Sequence, residues 1–486
     1  MNILVLDVGT SSMRGILYGN GAAVLHSHQI PYQVVCRGGE VEQPVSDWEN
    51  ALYEIAGDAV EYCKGAGLSI DALSLTSQRS SVIALGRDGR PLRPAIMWQD
   101  KRTQGICDEL KPREEWIASK TGARINNVFS GCKMRWIREN EPETYEKAEK
   151  LLTIADYLSF LMTGNFYTDH TYASRSLLMN IRTREWDPEL LDTFKVEREK
   201  LCGLIEPGTI HGRTTKLFQE KTGLADGTPL ISAGGDQQCA AVGQGVIGPG
   251  TMEITVGTGA YILAYSGQVP ENLRSDIICG AAAIRGGYSL ESSILTCCSA
   301  YDWFRRTFYQ NDIAVMNEEI AGAEAGSGGC IALPYFQGRG TPDWNGSAMA
   351  HFGNLTLSTT RGEMARALLE GLACEIYENI SILEEYAGKS EAIYIGGGLT
   401  NFETYNQMQA DICGRDILLS DDRESTALGA FLSAAQTLGE YPSLEAGLKE
   451  AKKNTPYQTY TPDLEKSDIY RKVFEKKQEL YHKLYQ

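Results

Sequence analysis

The sequence predicts an α/β protein built as two related lobes, and three observations carry that expectation. The chain has 486 residues, long for one core, which points to two or three domains. Hydrophobic residues make up 42% and charged residues 22%, as expected for large packed cores rather than disorder. A similar turn then occurs twice, as Leu6-Asp7-Val8-Gly9-Thr10-Ser11-Ser12 and as Ile254-Thr255-Val256-Gly257-Thr258-Gly259-Ala260. Each follows one apolar run and leads into another, as two lobes with a nucleotide between them would have it. Chance likeness of two short hairpins is the competing explanation.

The charge balance narrows the partners. A formal net charge of −17 argues against nucleic acid and against an anionic membrane surface, and it suits a small neutral substrate. The N-terminus MNILVLDVGTSS has no basic segment followed by a cleavage site, and no long apolar run predicts a membrane span. Twelve cysteines lack any C-x-x-C or His-spaced metal pattern. They read as reduced, mostly buried thiols of a cytoplasmic protein.

Taken in order, residues 2–18 read as strand, tight turn, strand. Asp7 sits at the strand end, placed to hold a hydrated magnesium ion, and Gly9, Thr10, Ser11 and Ser12 supply a permissive turn rich in donors. An ordinary polar hairpin is the other possibility. Residues 48–65 carry a helical pattern through Ala51, Ile55, Ala59 and Tyr62. Residues 72–76 and 81–85 read as strands around Gln78, Arg79 and Ser80. Gln78 and Arg79 with Trp98 form a polar fork beside a ring, suited to a polyol, although Trp98 as core and Arg79 as a surface ion-pair partner is the alternative. Residues 104–164 read mainly helical, and residues 168–181 form a polar stretch near the cleft.

The densest stretch is residues 231–261. Gly234 and Gly235 precede Asp236, which falls at a helix N-terminus where the dipole favours a carboxylate. Within reach of a hydroxyl, such a carboxylate acts as a general base. The turn at Gly257, Thr258 and Gly259 then offers backbone donors to a phosphate. Acid and loop together suggest phosphoryl transfer to an alcohol, with a plain helix-capping Asp as the alternative. Further helices are expected at residues 299–309, with Trp303 and Phe304 inward, at 363–383 and at 403–413. A third Gly-rich turn, at Gly396, Gly397 and Gly398, is suited to close approach to a nucleoside. Residues 425–430 open a small-residue helix suited to packing under a nucleotide, and residues 468–486 read as a solvated surface helix.

These residues, with Ala95-Ile96-Met97-Trp98-Gln99, Phe129-Ser130-Gly131-Cys132-Lys133, Ala173-Ser174-Arg175, Gly235-Asp236-Gln237-Gln238 and Gln337-Gly338-Arg339-Gly340-Thr341-Pro342, carry a resemblance. The chain resembles the FGGY carbohydrate kinases, and among them the glycerol kinases, nearly end to end. The resemblance implies two RNase H-like lobes of the actin-like ATPase superfold: residues 1–246 binding sugar or polyol, and residues 247–486 binding nucleotide. ATP and Mg2+ are the implied cofactors. Asp236 matches the base. Asp7 would position magnesium through water. Gly9, Thr10, Ser11, Ser12 and Arg14 match the first phosphate loop, Gly257 and Thr258 the second, and Gly397 and Gly398 the glycines near adenosine. Gln78, Arg79, Ser80, Trp98, Val128, Asp236, Gln237 and Tyr261 line the implied sugar pocket.

The departures bear on substrate. Glycerol kinases carry a Glu at Ser80 and a Tyr at Val128, and losing both removes two polar contacts while leaving more room. A four- or five-carbon ketose or polyol is therefore expected to be preferred over glycerol. Asp302 and Phe402 stand where a Gln and an Asn are expected near adenine. An actin- or chaperone-like ATPase switch is the competing class, against which the sugar-side set Gln78, Arg79, Trp98 and Asp236 speaks. Family habit suggests a homodimer or homotetramer.

Overall fold

The computed structural model describes residues 1–420, 424–453 and 455–485. The N-terminal run forms β1 (Ile3–Val8) and β2 (Ser12–Tyr18), followed by β3 (Val24–Pro31), β4 (Ala72–Ser77), β5 (Thr209–Arg213) and β6 (Pro229–Gly235). They assemble as one sheet in the order β5-β6-β4-β1-β2-β3. β1 runs parallel to β4 and β4 parallel to β6, whereas the hairpin partners and β5 are antiparallel. Every residue of β1 and β4 is buried, which explains their unbroken apolar character: a central parallel strand is covered on both faces. Leu4, Leu6, Leu73 and Leu75 face α1 (Val45–Ala66) through Trp48, Leu52 and Ile55. On the other face, Ile3, Val5, Ala72 and Ile231 meet Cys239 and Val242 of α2 (Asp236–Gln244).

The second sheet repeats the plan. It contains β7 (Thr251–Val256), β8 (Ala260–Ser266), β9 (Ile278–Ala281), β10 (Tyr288–Ile294), β11 (Ala392–Gly397), β12 (Ile417–Leu419) and β13 (Gln458–Tyr460), in the order β9-β10-β8-β7-β11-β12-β13. β7 pairs antiparallel with β8 and parallel with β11, and β11 parallel with β12, matching β1, β2, β4 and β6 strand for strand. The two Gly-Thr turns thus occupy equivalent positions in two copies of one topology. The hairpin likeness in the sequence is structural.

The helices expected in the second half appear as α3 (Cys298–Phe308), α4 (Arg361–Ala387) and α5 (Glu403–Cys413). Residues 104–164 are mainly helical as expected, with one strand, Ala148–Leu152, paired with Ile83–Gly86. Two expectations need correction. The small-residue helix α6 (Ser425–Thr437) packs on the first sheet and on α2, with Ala427, Leu428, Ala430 and Phe431 in the cluster of Ile3 and Val5. Its small residues serve a helix contact: a Cβ on Gly429 would lie 1.8 Å from the Cys239 carbonyl, and one on Gly243 2.0 Å from that of Ser425. The tail helix α7 (Leu464–Tyr485) is docked rather than solvated, because Tyr470, Lys477 and Tyr481 are buried and Lys477 pairs with buried Glu375. All twelve cysteines are free, and ten are buried. Among the described residues no helix is long and apolar enough to cross a membrane.

Candidate active site

Asp236 opens α2 directly after β6, with Gly235 as the residue before the helix. Both glycines ahead of it are needed. Gly234 adopts φ +126°, a region that side chains disfavour, and a Cβ on Gly235 would lie 2.6 Å from the Arg79 chain. The polar stretch around residue 170 supports this corner from behind. Thr171 accepts the Gly235 N–H at 2.8 Å, Tyr172 donates to the Gly234 carbonyl at 2.8 Å, and buried Asp169 takes the Ser232 hydroxyl at 2.5 Å.

The Asp236 carboxylate keeps 32% of its side-chain surface open. It accepts the Gln237 N–H at 2.8 Å and lies 3.4 Å from Nε of Arg79. Burial raises its pKa above the ordinary carboxylate range, with Arg79 opposing. Arg79 is partly buried, with 13% of its side chain exposed, and its two Nη atoms donate to Gln238 at 3.1 Å and Gln237 at 2.7 Å. An ionised carboxylate with an open face, braced by a guanidinium, can take a proton from a hydroxyl.

The first turn stands next to this base. Asp7 is pushed up to about 6, chiefly by burial, with Arg14 pulling down and Asp236 and Glu424 pushing up. Arg14 lies 3.3 Å from Asp7 and 2.7 Å from Glu424. The carbonyl of Gly9 is claimed by Tyr32 at 2.5 Å and by Gln78 at 3.1 Å, while Ser12 accepts from Gln29 at 2.8 Å. Ser11 remains exposed at the tip. Gln78 is buried, and its two ends hold Gly9 and Ser81, so its contacts brace the turn. Trp98 is half-buried and donates its indole N–H to Thr10 at 3.1 Å.

A hydrated magnesium ion fits this corner. Among the described residues no three His, Cys, Asp or Glu side chains cluster to enclose an ion. Asp7 is a single strand-end carboxylate, the kind of ligand used by an ion that keeps waters and phosphate oxygens as its other ligands.

The sugar-side residues divide. Ser80 is buried at φ +71° and donates to the Arg175 carbonyl at 3.3 Å. Val128 is half-buried on a loop whose carbonyls at Asn127 and Val128 accept buried Lys133 at 2.7 and 2.6 Å. Tyr261, 48% exposed, lies on β8 on the same face as Leu263, which packs against Ala241 of α2.

The second group of residues surrounds the mid-chain turn. Thr258 is exposed, and its carbonyl accepts Cys297 N–H at 2.7 Å and the Ser299 hydroxyl at 2.8 Å, which ties the turn to the start of α3. Gly257 accepts the Cys298 N–H at 2.9 Å. Gly397, at φ +109°, owes its need for glycine to the neighbouring strand, because a Cβ would lie 2.3 Å from the Val256 carbonyl. Gly398 is exposed and has room around it. Asp302 pairs with Arg305 at 3.0 Å, and Phe402 packs against the core ahead of α5. A groove of about 980 Å³ beside Arg361 and Lys476 lies apart from all these residues.

Sequence reasoning missed Glu291 on β10. This buried carboxylate ion-pairs with Arg175, accepts Gln238 at 3.1 Å and stands 3.9 Å from Arg79. No turn, glycine or spacing marks it, because its partners come from a loop, a turn and α2 in the first half of the chain.

Two repeated lobes, two phosphate-type turns and a braced carboxylate define a phosphotransferase of the actin-like ATPase superfold. The chain belongs to the FGGY family of carbohydrate kinases: the family's N-terminal domain matches residues 2–243 and its C-terminal domain residues 252–438. It is thus an ATP-dependent carbohydrate kinase. A glycerol kinase of Alkalilimnicola ehrlichii is 32% identical over 461 residues, covering 91% of this chain and 92% of that protein. The structure is similar to a xylulose kinase from Lactobacillus acidophilus, with a TM-score of 0.90 and 27% identity over 99% of this chain and 98% of that one. A gluconate kinase from the same organism superposes with a TM-score of 0.90 at 28% identity, with the same coverage.

Proposed function

We propose that the enzyme transfers the γ-phosphoryl group of ATP to a hydroxyl of a four- or five-carbon ketose or polyol. Residues 1–246 hold the sugar and residues 247–486 the nucleotide. The observation that carries the reading is the placement of Asp236, braced by Arg79, beside the turn that carries Asp7 and Arg14.

In the proposed reaction, the sugar lies against Arg79, Gln237 and Trp98 with one hydroxyl on Asp236. Asp236 accepts the hydroxyl proton as the oxygen attacks the γ-phosphorus, and the bond to the β-γ bridging oxygen breaks, leaving ADP. Backbone and hydroxyl donors of Thr10, Ser11, Ser12 and Thr258 orient the phosphates, as positioning dominates this chemistry. Mg2+, held through water by Asp7, supplies charge neutralisation when bound. Gly398 offers open backbone on the adenosine side.

The pocket chemistry favours the longer acceptor. Ser80 spends its hydroxyl on Arg175, and Val128 offers no polar atom from its side chain. A site without those grips has little with which to select a three-carbon triol. The competing reading, a glycerol kinase proper, rests on the sequence relatives. A panel of glycerol, tetruloses, pentuloses, pentitols and gluconate at fixed ATP, read by coupled ADP release, separates the two. Clear preference for glycerol overturns the proposal, and ATP hydrolysis unaffected by any sugar favours an ATPase switch instead. The proposed setting is a cytoplasmic homodimer or homotetramer.

A further inference from the structure

We propose that Glu291 is a positioning residue: it balances Arg79 and Arg175 beside Asp236 and thereby sets how strong a base Asp236 is. The inference rests on Asp236 being the base.

The geometry is a four-charge cluster drawn from both lobes. Arg79 follows β4, Arg175 follows the stretch that supports Gly234, and Asp236 opens α2; all three belong to the first half of the chain. Glu291 comes from β10 of the second sheet, where it pairs in register with Leu263. Its carboxylate binds Arg175, approaches Arg79 Nη1 at 3.9 Å and accepts Nε2 of Gln238 at 3.1 Å. Gln238 also accepts Arg79 Nη1 at 3.1 Å, so one amide links the carboxylate and the guanidinium. Arg79 keeps only Nε, at 3.4 Å, toward Asp236. Two guanidiniums therefore face two carboxylates, with Arg175 and Glu291 buried and Asp236 at the open end.

The groups acting on Asp236 are Arg79, Arg175, Glu291 and, from β1, Asp7. Tyr172 and Cys239 also face it, both held neutral by burial. Glu291 is faced by Arg175 and Arg79, by the Ser289 hydroxyl, by Cys279, and by buried Glu253 on β7. Taking the charge from Glu291 leaves both guanidiniums to act on Asp236. The carboxylate is then over-stabilised in its ionised form, and a more stable carboxylate is a poorer proton acceptor. Because Glu291 belongs to the second sheet, the strength of the sugar-side base depends on how the lobes meet.

The test compares kcat and kcat/KM from pH 4.5 to 8.5 for wild type, Glu291→Gln, Glu291→Asp, Asp236→Asn, Arg175→Gln and the double variant Glu291→Gln with Arg175→Gln. Glu291→Gln should move the acid limb of kcat/KM down by about half a pH unit or more. Its kcat should fall about 2- to 3-fold, with KM for ATP changing less than about 2-fold. Glu291→Asp should restore part of the activity, and the charge-balanced double variant should return the limb toward its wild-type position. An acid limb unmoved or moved upward in Glu291→Gln overturns the proposal, as does a double variant that keeps the single variant's profile. Should Glu291→Gln fail to fold, Arg175→Gln beside the double variant decides: losing the cation alone should raise the acid limb and losing the carboxylate with it should bring the limb back down, whereas a double variant whose limb equals that of Arg175→Gln overturns the proposal. An active Asp236→Asn removes the base assignment itself. An inactive one beside an unmoved Glu291→Gln profile leaves that assignment standing and removes only the role of Glu291.

Discussion

The indole N–H of Trp98 donates to the hydroxyl of Thr10 at 3.1 Å, joining the ring proposed to face the sugar to the turn proposed to hold phosphate. Removing that donor while keeping an aromatic ring isolates the link. Trp98→Phe should lower kcat/KM by about 2- to 10-fold, the effect of one net hydrogen bond. Initial rates with ATP and sugar varied in turn should show both substrates affected. An effect on the sugar alone would mean the ring acts only by stacking.

Asp236→Asn should lower kcat by about 10²- to 10⁴-fold with little change in thermal midpoint, as loss of a general base does. In the wild type the acid limb of kcat/KM should lie above the ordinary carboxylate range, because burial raises the pKa of Asp236. Activity falls as pH drops through that value, since the protonated acid cannot accept a proton. A limb at the ordinary value of an exposed carboxylate would count against this assignment.

Glu253 predicts a stability effect with a definite sign. It is buried on β7, accepts the Thr255 hydroxyl at 2.9 Å, and is raised to about 7 by burial foremost. The folded state therefore holds this proton more tightly than the unfolded chain. Its contribution is fully present below the unfolded value and is lost as pH rises through about 7. Glu253→Gln should match wild type near pH 4.5 and exceed it at pH 8 by on the order of 2 kcal/mol, measured by denaturant unfolding. A deficit at pH 8 would contradict the account.

The contact between α2 and α6 should be intolerant of a single methyl. Gly429→Ala forces a Cβ to 1.8 Å from the Cys239 carbonyl and should destabilise by about 1–3 kcal/mol or more while reducing activity, because α2 carries Asp236. Gly65→Ala, in α1 with nothing within 4 Å of the added Cβ, should be neutral or stabilising by up to about 1 kcal/mol. Thermal midpoints of the two variants check the contrast.

Local signals made much of this protein legible from its sequence. Apolar runs closed by Gly-Thr turns exposed the repeated hairpins, since a buried strand and a tight turn each need particular residues at fixed spacing. Helical periodicity located α1, α4 and α5, and the glycines before Asp236 marked the corner that holds it. The tertiary structure alone decided what depends on residues distant in the chain. Small residues in α6 signal close packing equally well against a nucleotide or a helix, and only the fold chose α2. The charged tail hides Lys477, which is buried because Glu375 from another helix meets it. Gln78 looked like a sugar ligand, and the fold gives its amide two protein partners, the Gly9 carbonyl of the first turn and the Ser81 hydroxyl. Glu291 left no local trace, since an ion pair is specified by where two chain segments meet and not by the neighbours of either residue along the chain.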